Sequence, residues 1–300
     1  MNTESGKISF ERGISLNLIS VIMNAAAMTI SKFALTGINP LITTLIICIT
    51  STILSYTYMK FKRHTLSLIE FKKLIPIAII NAAATILLYA SIAILDPVIV
   101  GMIGRFYVVF TTLLSVVILK EKLSRAEGIL IALAIFGTFL FVQTGNQVAS
   151  IHYIGVAMGL AYTFLFALAN LFVKKSVHNT SSVTILFYNN LFASFASVIL
   201  LFAQSTPLSS ADTPHGKTIL LAILTAAITF GGLVLFFNSF RFLSFKLSNL
   251  IRSMSPIFVA AISWPFFPIK LGLANSSGGI IVLTSIIFLS ILEKKKVKAP

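Results

Sequence analysis

The sequence predicts an all-α integral membrane protein with ten transmembrane helices in two inverted five-helix repeats. Three observations lead to this fold class: long apolar runs, basic residues confined to alternate connections, and two segments that share one pattern. Hydrophobic residues make up 57% of the 300 residues and charged residues only 10%, and the mean hydropathy is +0.99. Soluble domains carry about 25% charged residues. The composition therefore excludes a soluble globular domain and a disordered chain, and the single cysteine excludes a disulfide scaffold.

Ten apolar runs reach the length of about 20 residues that a helix needs to cross a bilayer. A transmembrane β-barrel would instead alternate apolar and polar residues. The connections are short, so we expect no sizeable domain outside the membrane. The predicted spans are 14–34, 39–59, 74–94, 97–119, 126–145, 153–173, 181–204, 218–240, 247–269 and 273–292.

The basic residues support this count of spans. The formal net charge is +15, from 23 Lys and Arg against 8 Asp and Glu. If the N-terminus is cytoplasmic and the spans alternate, 18 basic residues fall on the inner side and three, Lys32, Lys217 and Lys270, on the outer side. Such an excess is typical of cytoplasmic loops. We expect a multi-pass protein of the inner (plasma) membrane with both termini cytoplasmic, and the excess charge does not indicate a nucleic-acid partner.

An internal repeat relates the two halves of the chain. After a shift of 149 residues, the segment that starts at Ser91 aligns with the segment that starts at Phe240, each with a span, a short connection and a span holding polar residues. Five spans per repeat is an odd number, so the second repeat enters the membrane in the opposite orientation. Inverted repeats of this kind are common in secondary transporters, which bind substrate near the midplane between the halves.

The segment VVFTTLLSVVILKEKLSRAEGILIALAIFGTFLFV resembles the conserved segment of the EamA family, in the drug/metabolite transporter superfamily. Lys120 to Leu123 carry the match at the end of one span, and Gly128 and Gly137 follow in the next. In the second half, Ser255 to Phe258 match the pattern, whereas Pro268 to Lys270 replace the family's Gly-Glu pair.

The resemblance covers the whole chain by length and topology. It implies two EamA-like five-helix repeats, residues 1–147 and residues 148–300. It also implies a transporter of small metabolites that works by alternating access, but the motif does not specify the substrate.

Two arginines lie within predicted spans. Arg105 is eight residues into the fourth span, about 12 Å deep at 1.5 Å per residue, where an arginine costs at least about 2.5–3.5 kcal/mol. Arg252 lies in the ninth span, in the second repeat. A guanidinium suits carboxylate or phosphate, so both arginines are candidates to bind an anionic group of the substrate. The alternative is structural: Arg105 bonds helix carbonyls and Arg252 extends to the inner interface.

Other polar side chains recur at helical spacing and predict either a cavity wall or hydrogen bonds between helices. The substrate-binding candidates among them are Asn24, Asn81, Tyr89, Tyr162 and Asn249. They belong to four stripes: Asn17, Ser20, Asn24 and Ser31; Asn81, Thr85 and Tyr89; Tyr162, Phe166 and Asn170; and Asn249 with Arg252. Trp264, Tyr188, Phe236 and Phe237 are instead predicted to be packing or interface residues.

No Asp, Glu or His lies in the interior of a predicted span. This pattern gives no support to an acid–base or metal site within the bilayer, so we expect no catalytic residue, no metal and no cofactor. The phosphate-binding pattern G-x-x-x-x-G-K-[ST] is also absent from the sequence, which argues against direct drive by ATP. A membrane-embedded enzyme and a non-transporting scaffold or receptor are the competing hypotheses.

The predicted function is secondary transport, by export or exchange, of a small polar metabolite with an anionic group, such as an amino acid. The alternatives are exchange of nucleotide-like metabolites such as S-adenosylmethionine, and broad-specificity export of drugs or metabolites. The predicted partners are the substrate and the lipid bilayer, and the sequence allows a monomer or a homodimer.

Overall fold

In the computed structural model of this chain the described residues are 3–35, 39–63, 68–104, 106–119, 124–142, 150–177, 179–203, 216–243, 248, 251–252, 255–267 and 272–298. These residues contain α-helices and no strand. The helices are α1 (Thr3–Leu35), α2 (Pro40–Phe61), α3 (Leu68–Ile94), α4 (Pro97–Ile103), α5 (Phe106–Leu119), α6 (Arg125–Val142), α7 (Ser150–Ser176), α8 (Ser182–Ala203), α9 (Gly216–Ser239), α10 (Ser255–Ser263) and α11 (Leu273–Lys298).

Local sequence signals explain where several helices begin. Asn39 precedes α2 and its side-chain oxygen accepts a hydrogen bond from the backbone N–H of Leu41 at 2.9 Å, while Pro40 occupies the first helical turn, where no N–H is needed. Before α6, the Ser124 N–H donates to Glu127 at 2.8 Å and the Ser124 hydroxyl accepts from the Glu127 N–H at 3.3 Å. This reciprocal pair is a capping box.

Within the described ranges, six helices are long and apolar enough to cross a membrane, so the chain is a multi-pass membrane protein. Their membrane-length segments are Phe10–Leu35, Pro40–Phe61, Phe71–Ile94, Tyr153–Ser176, Ser182–Ala203 and Gly216–Ser239. They correspond to the first three predicted spans of each half.

The other four predicted spans are not confirmed. The fourth, 97–119, is divided between α4 and α5, and α10 has nine residues. The all-helical class of the prediction is therefore confirmed, whereas the count of ten spans stays a prediction.

The helices of the two halves pack against each other in a two-fold pattern. Helix α1 packs on α9, and its counterpart α7 packs on α3; α2 packs on α8, and α6 on α11. Helix α1 also packs on α10, as α7 packs on α5. Each first helix therefore contacts the third and fourth helices of the opposite half, which fits the predicted two-repeat layout.

Glycines permit this close approach. A methyl group at Gly159 in α7 would lie 3.1 Å from the Ser91 hydroxyl of α3, and one at Gly137 in α6 would lie 2.8 Å from Ile281 in α11. The small residues of α7 thus act in helix packing, as small residues often do where membrane helices meet.

Candidate functional site

Two adjoining cavities lie between the halves of the protein. Their volumes are about 100 Å³ and about 80 Å³. Seven residues line both: Asn24, Leu88, Tyr89, Tyr162, Phe166, Thr229 and Arg252. Because these side chains come from both halves, the cavities occupy the place where a transporter with two repeats binds its substrate.

Nine of the described helices contribute to the cavity walls. Helices α1, α3, α7 and α9 line both cavities, as does Arg252. Helices α2 and α8 line the second cavity, and α4, α5 and α10 line the first together with Gly104. No described residue of α6 or α11 lines either cavity. The described part of the pair formed by α6 and α11 therefore lies outside these cavity walls.

Arg252 is surrounded by aromatic rings. Its guanidinium carbon lies 4.2 Å from the centroid of the Phe236 ring, 4.9 Å from that of Phe166 and 5.9 Å from that of Tyr107. The three rings belong to α9, α7 and α5. Ring faces attract a cation by about 0.5–2 kcal/mol each, with the larger values where water is excluded, so this arrangement stabilises a positive charge beside the cavities.

Hydroxyl and amide groups supply the other polar surface of the cavities. Tyr89 and Tyr107 are buried at 4% and 6% exposure, and the Tyr162 ring packs on Phe166 with 5.7 Å between centroids. In the second cavity the Thr85 hydroxyl donates to the backbone oxygen of Asn81 at 2.8 Å. These groups offer hydrogen bonds to a bound polar molecule without adding charge.

Asn24 is positioned by the helices around it. Its side-chain amide donates to the backbone oxygen of Ser20 at 2.8 Å. A methyl group at Gly232 of α9 would lie 2.9 Å from the same amide nitrogen. The absence of a side chain at Gly232 therefore lets α9 approach α1 and leaves room for Asn24 at the cavity wall.

The structure brings together five of the seven predicted binding residues. Asn24, Tyr89, Tyr162 and Arg252 line both cavities, and Asn81 lines the second. Arg105 and Asn249 lie outside the described residues. That these residues bind substrate stays a prediction.

The stripe predicted on α1 divides into two kinds of residue. Asn24 and Ser31 line the first cavity. The side-chain amide of Asn17 instead donates a hydrogen bond to the backbone oxygen of Ser248 at 2.9 Å. The hydroxyl oxygen of Ser248 in turn lies 3.1 Å from the hydroxyl oxygen of Ser239. The N-terminal part of the stripe therefore forms hydrogen bonds between helices.

Sequence reasoning missed several residues of the site, among them Thr229, Tyr107 and Phe236. Thr229 lines both cavities, and Tyr107 and Phe236 flank Arg252. The sequence predicts that Phe236 packs in the core, and it is fully buried there, but its ring also contacts the arginine. No local signal in an apolar run of the sequence distinguishes such a phenylalanine from one that only fills space.

Comparisons with known proteins support the fold and the two-part organisation. The sequence model of the EamA-like transporter family matches residues 11–143 and again residues 153–291. No curated protein matches the chain. A solved structure described only as "Crystal structure of protein" is similar over 91% of this chain and 98% of its own, with 13% identity and a TM-score of 0.61. At that identity the likeness shows the fold alone.

Proposed function

Since the chain belongs to the EamA-like transporter family of the drug/metabolite transporter superfamily, we propose that it carries a small polar metabolite with an anionic group across the membrane. The metabolite binds in the two adjoining cavities, and access alternates between the two sides. The observation that carries this proposal is the position of Arg252, at the wall of both cavities and against three aromatic rings.

The chemistry of the cavity walls supports an anionic cargo. Arg252 is the basic residue among the described lining residues, and none of those residues is Asp, Glu or His. A guanidinium donates paired hydrogen bonds to carboxylate or phosphate, and its cost in a membrane is offset when it meets an opposite charge. A purely cationic molecule would find no carboxylate partner on these described walls.

The size of the cavities favours an amino-acid-like molecule. Volumes of about 100 and 80 Å³ are below the roughly 300 Å³ of pockets for drug-sized ligands. A nucleotide-like metabolite such as S-adenosylmethionine requires a larger opening. We therefore place an amino acid or a similar short carboxylate first.

The same walls favour exchange or facilitated diffusion over proton-coupled transport. Proton coupling needs a group that gains and loses a proton during the cycle, usually Asp, Glu or His. The described lining residues contain none of these three types. The proposed location is the inner (plasma) membrane with both termini cytoplasmic, on the basis of the basic residues on alternate connections.

Counterflow in proteoliposomes tests the proposal. Vesicles loaded with one unlabelled metabolite are diluted into its radiolabelled form with no ion gradient, and a panel of amino acids and short carboxylates is compared with their methyl esters. We expect accumulation of a free acid and little accumulation of its ester. Equal accumulation of acid and ester would contradict an anionic recognition group, and no accumulation of any member would contradict the cargo class.

A further inference from the structure

A lysine and a glycine hold the connection that follows α3. The ammonium group of Lys32, near the end of α1, donates hydrogen bonds to the backbone oxygens of Ile92, Ala93 and Leu95 at 2.9, 3.2 and 3.0 Å. Gly155, near the start of α7, packs against the same leucine, because a methyl group there would lie 2.8 Å from Leu95 Cγ. Helix α1 of one half and α7 of the other thus meet at Leu95.

The connection that follows α9 is held in the same way. Lys174, near the end of α7, donates to the backbone oxygens of Phe240 and Leu243, the latter at 3.1 Å. Gly13 of α1 packs against the same leucine, because a methyl group there would lie 2.9 Å from Leu243 Cγ and 2.8 Å from Phe242 Cβ. A lysine that donates hydrogen bonds to the last carbonyl groups of a helix stabilises the helix end, and the helix dipole stabilises the positive charge of the lysine.

The two sets of contacts are equivalent by position. An offset of 142 residues relates Lys32 to Lys174 and Gly13 to Gly155, and an offset of 148 relates Leu95 to Leu243. The origin of the residues is also the same in both sets. The lysine binds the end of the third helix of its own half, and the glycine that packs on the leucine comes from the first helix of the other half. The repeat therefore extends to individual contacts, although its offset is not the uniform 149 found in the sequence.

The cavities lie between these two sets of contacts. On one side, Ile92 and Ser31, next to Lys32, line the first cavity. On the other side, the ring of Phe240 is 4.6 Å from that of Phe236, which is 4.2 Å from the guanidinium of Arg252. Each set of contacts is thus one or two side chains away from the cavity wall, at opposite ends.

We propose that these contacts are the two gates of the cavities, one formed by Lys32, Leu95 and Gly155 and the other by Lys174, Leu243 and Gly13. Both gates are closed in this conformation, and opening either one gives access from a single side. The proposal rests on the proposed function, because a gate has a purpose only where a cargo passes. Hydrogen bonds to helix ends and a bare glycine surface are contacts that separate without unfolding a helix.

Native Cys48 provides the reporter. It is the single cysteine of the sequence, it is fully buried, and it lines the second cavity. The substitutions Gly155→Leu and Gly13→Leu add bulk at one gate each. We expect an impermeant anionic thiol reagent, 2-sulfonatoethyl methanethiosulfonate, to label Cys48 about tenfold faster from one side of oriented vesicles in Gly155→Leu and from the opposite side in Gly13→Leu.

Matched variants make the result decisive. Gly216→Leu adds the same bulk where a side chain meets nothing within 4 Å and should leave labelling unchanged, and Cys48→Ser gives the background. Lys32→Met weakens the first gate and Lys174→Met the second, in both cases without adding bulk. These variants provide the test if a leucine variant does not fold. Lys32→Met should act from the same side as Gly155→Leu, and Lys174→Met from the same side as Gly13→Leu.

The outcome that overturns the proposal is labelling that rises from one common side for both gates, or that does not rise in any folded variant. Labelling needs no substrate, so the gates and the cargo are tested separately. If labelling is sided as expected but no anionic metabolite gives counterflow, the gates stand and the proposed cargo fails.

Discussion

The guanidinium carbon of Arg252 lies 4.2 Å from the centre of the Phe236 ring. Phe236 is fully buried in α9, and its other neighbours include the rings of Phe237 and Phe240. The guanidinium of Arg252 therefore packs against the protein core, and the same residue also lines the cavities. A charge held in this way can bind an anionic group and still be accommodated within a membrane protein.

Replacing Arg252 should separate the contributions of charge and shape. Arg252→Lys keeps the positive charge but loses the planar group that binds a carboxylate in two places, so we expect a raised KM for counterflow of the anionic metabolite. Arg252→Ala should abolish most counterflow. Both variants must reach the membrane at wild-type levels, and normal KM values in Arg252→Ala would contradict the assigned role.

Arg105 is expected to make a second contribution to binding of the anionic group. Arg105→Ala should strongly reduce counterflow, and Arg105→Lys should reduce it in part, because the lysine retains charge without the guanidinium geometry. Kinetics are measured in the same proteoliposomes, with the amount of protein determined by immunoblot. Wild-type transport by Arg105→Ala would leave Arg105 with a structural role only.

Phe236 and Phe237 form a matched pair for testing the ring contact. Both side chains are buried, at 0% and 1% exposure, and both contact Phe240, but of these two it is Phe236 whose ring lies against Arg252. Phe236→Leu should raise KM about threefold to tenfold, from the loss of one cation–π contact. Phe237→Leu should lower the unfolding temperature about as much as Phe236→Leu does, with little change in KM. Equal KM changes in the two variants would refute the distinction.

The packing of α6 on α11 should matter for stability more than for transport. A methyl group at Gly137 would lie 2.9 Å from the backbone oxygen of Gly278 and 2.8 Å from Ile281, so Gly137→Ala must push the helices apart. We expect a lower unfolding midpoint for the purified protein, with KM unchanged because no described residue of these helices lines the cavities. Gly216→Ala is the control, and an unchanged midpoint in Gly137→Ala would contradict this packing.

The orientation of the chain is tested by single cysteines in a Cys48→Ser background. Cysteines that replace Thr3 and Lys298 should be protected from an impermeant thiol reagent in intact cells, whereas one that replaces Ser210 should react. Permeabilised cells serve as the positive control for all three positions. Reaction at position 298 in intact cells would rule out ten spans with both termini inside.

Local sequence pattern is sufficient to predict several parts of the fold and of the site. Apolar runs define the six membrane-length helices, and the cost of a charge in such a run is enough to single out Arg252. Polar residues at helical spacing similarly identify Asn24, Asn81, Tyr89 and Tyr162 as candidates. In each case the signal lies within one apolar run.

Features that depend on contacts between distant helices could not be predicted. Asn17 and Asn24 lie on the same stripe, yet Asn17 meets Ser248 and Asn24 lines the cavities, because α1 passes different neighbours along its length. The equivalence of Lys32 and Lys174 could not be predicted either. The halves differ in connection length, so the offset between equivalent residues changes from 142 to 148 along the chain.

Helices α1 and α7 each reach both gates, and this has a consequence for leakage. Gly13 and Lys32 are 19 positions apart in α1, as are Gly155 and Lys174 in α7, which is about 28 Å at 1.5 Å per residue and close to the roughly 30 Å of a hydrocarbon core. A tilt that moves one end of either helix away from Leu95 also moves its other end relative to Leu243. The two openings are therefore mechanically dependent, and this dependence opposes a continuous aqueous path, which would dissipate the ion gradients of the cell.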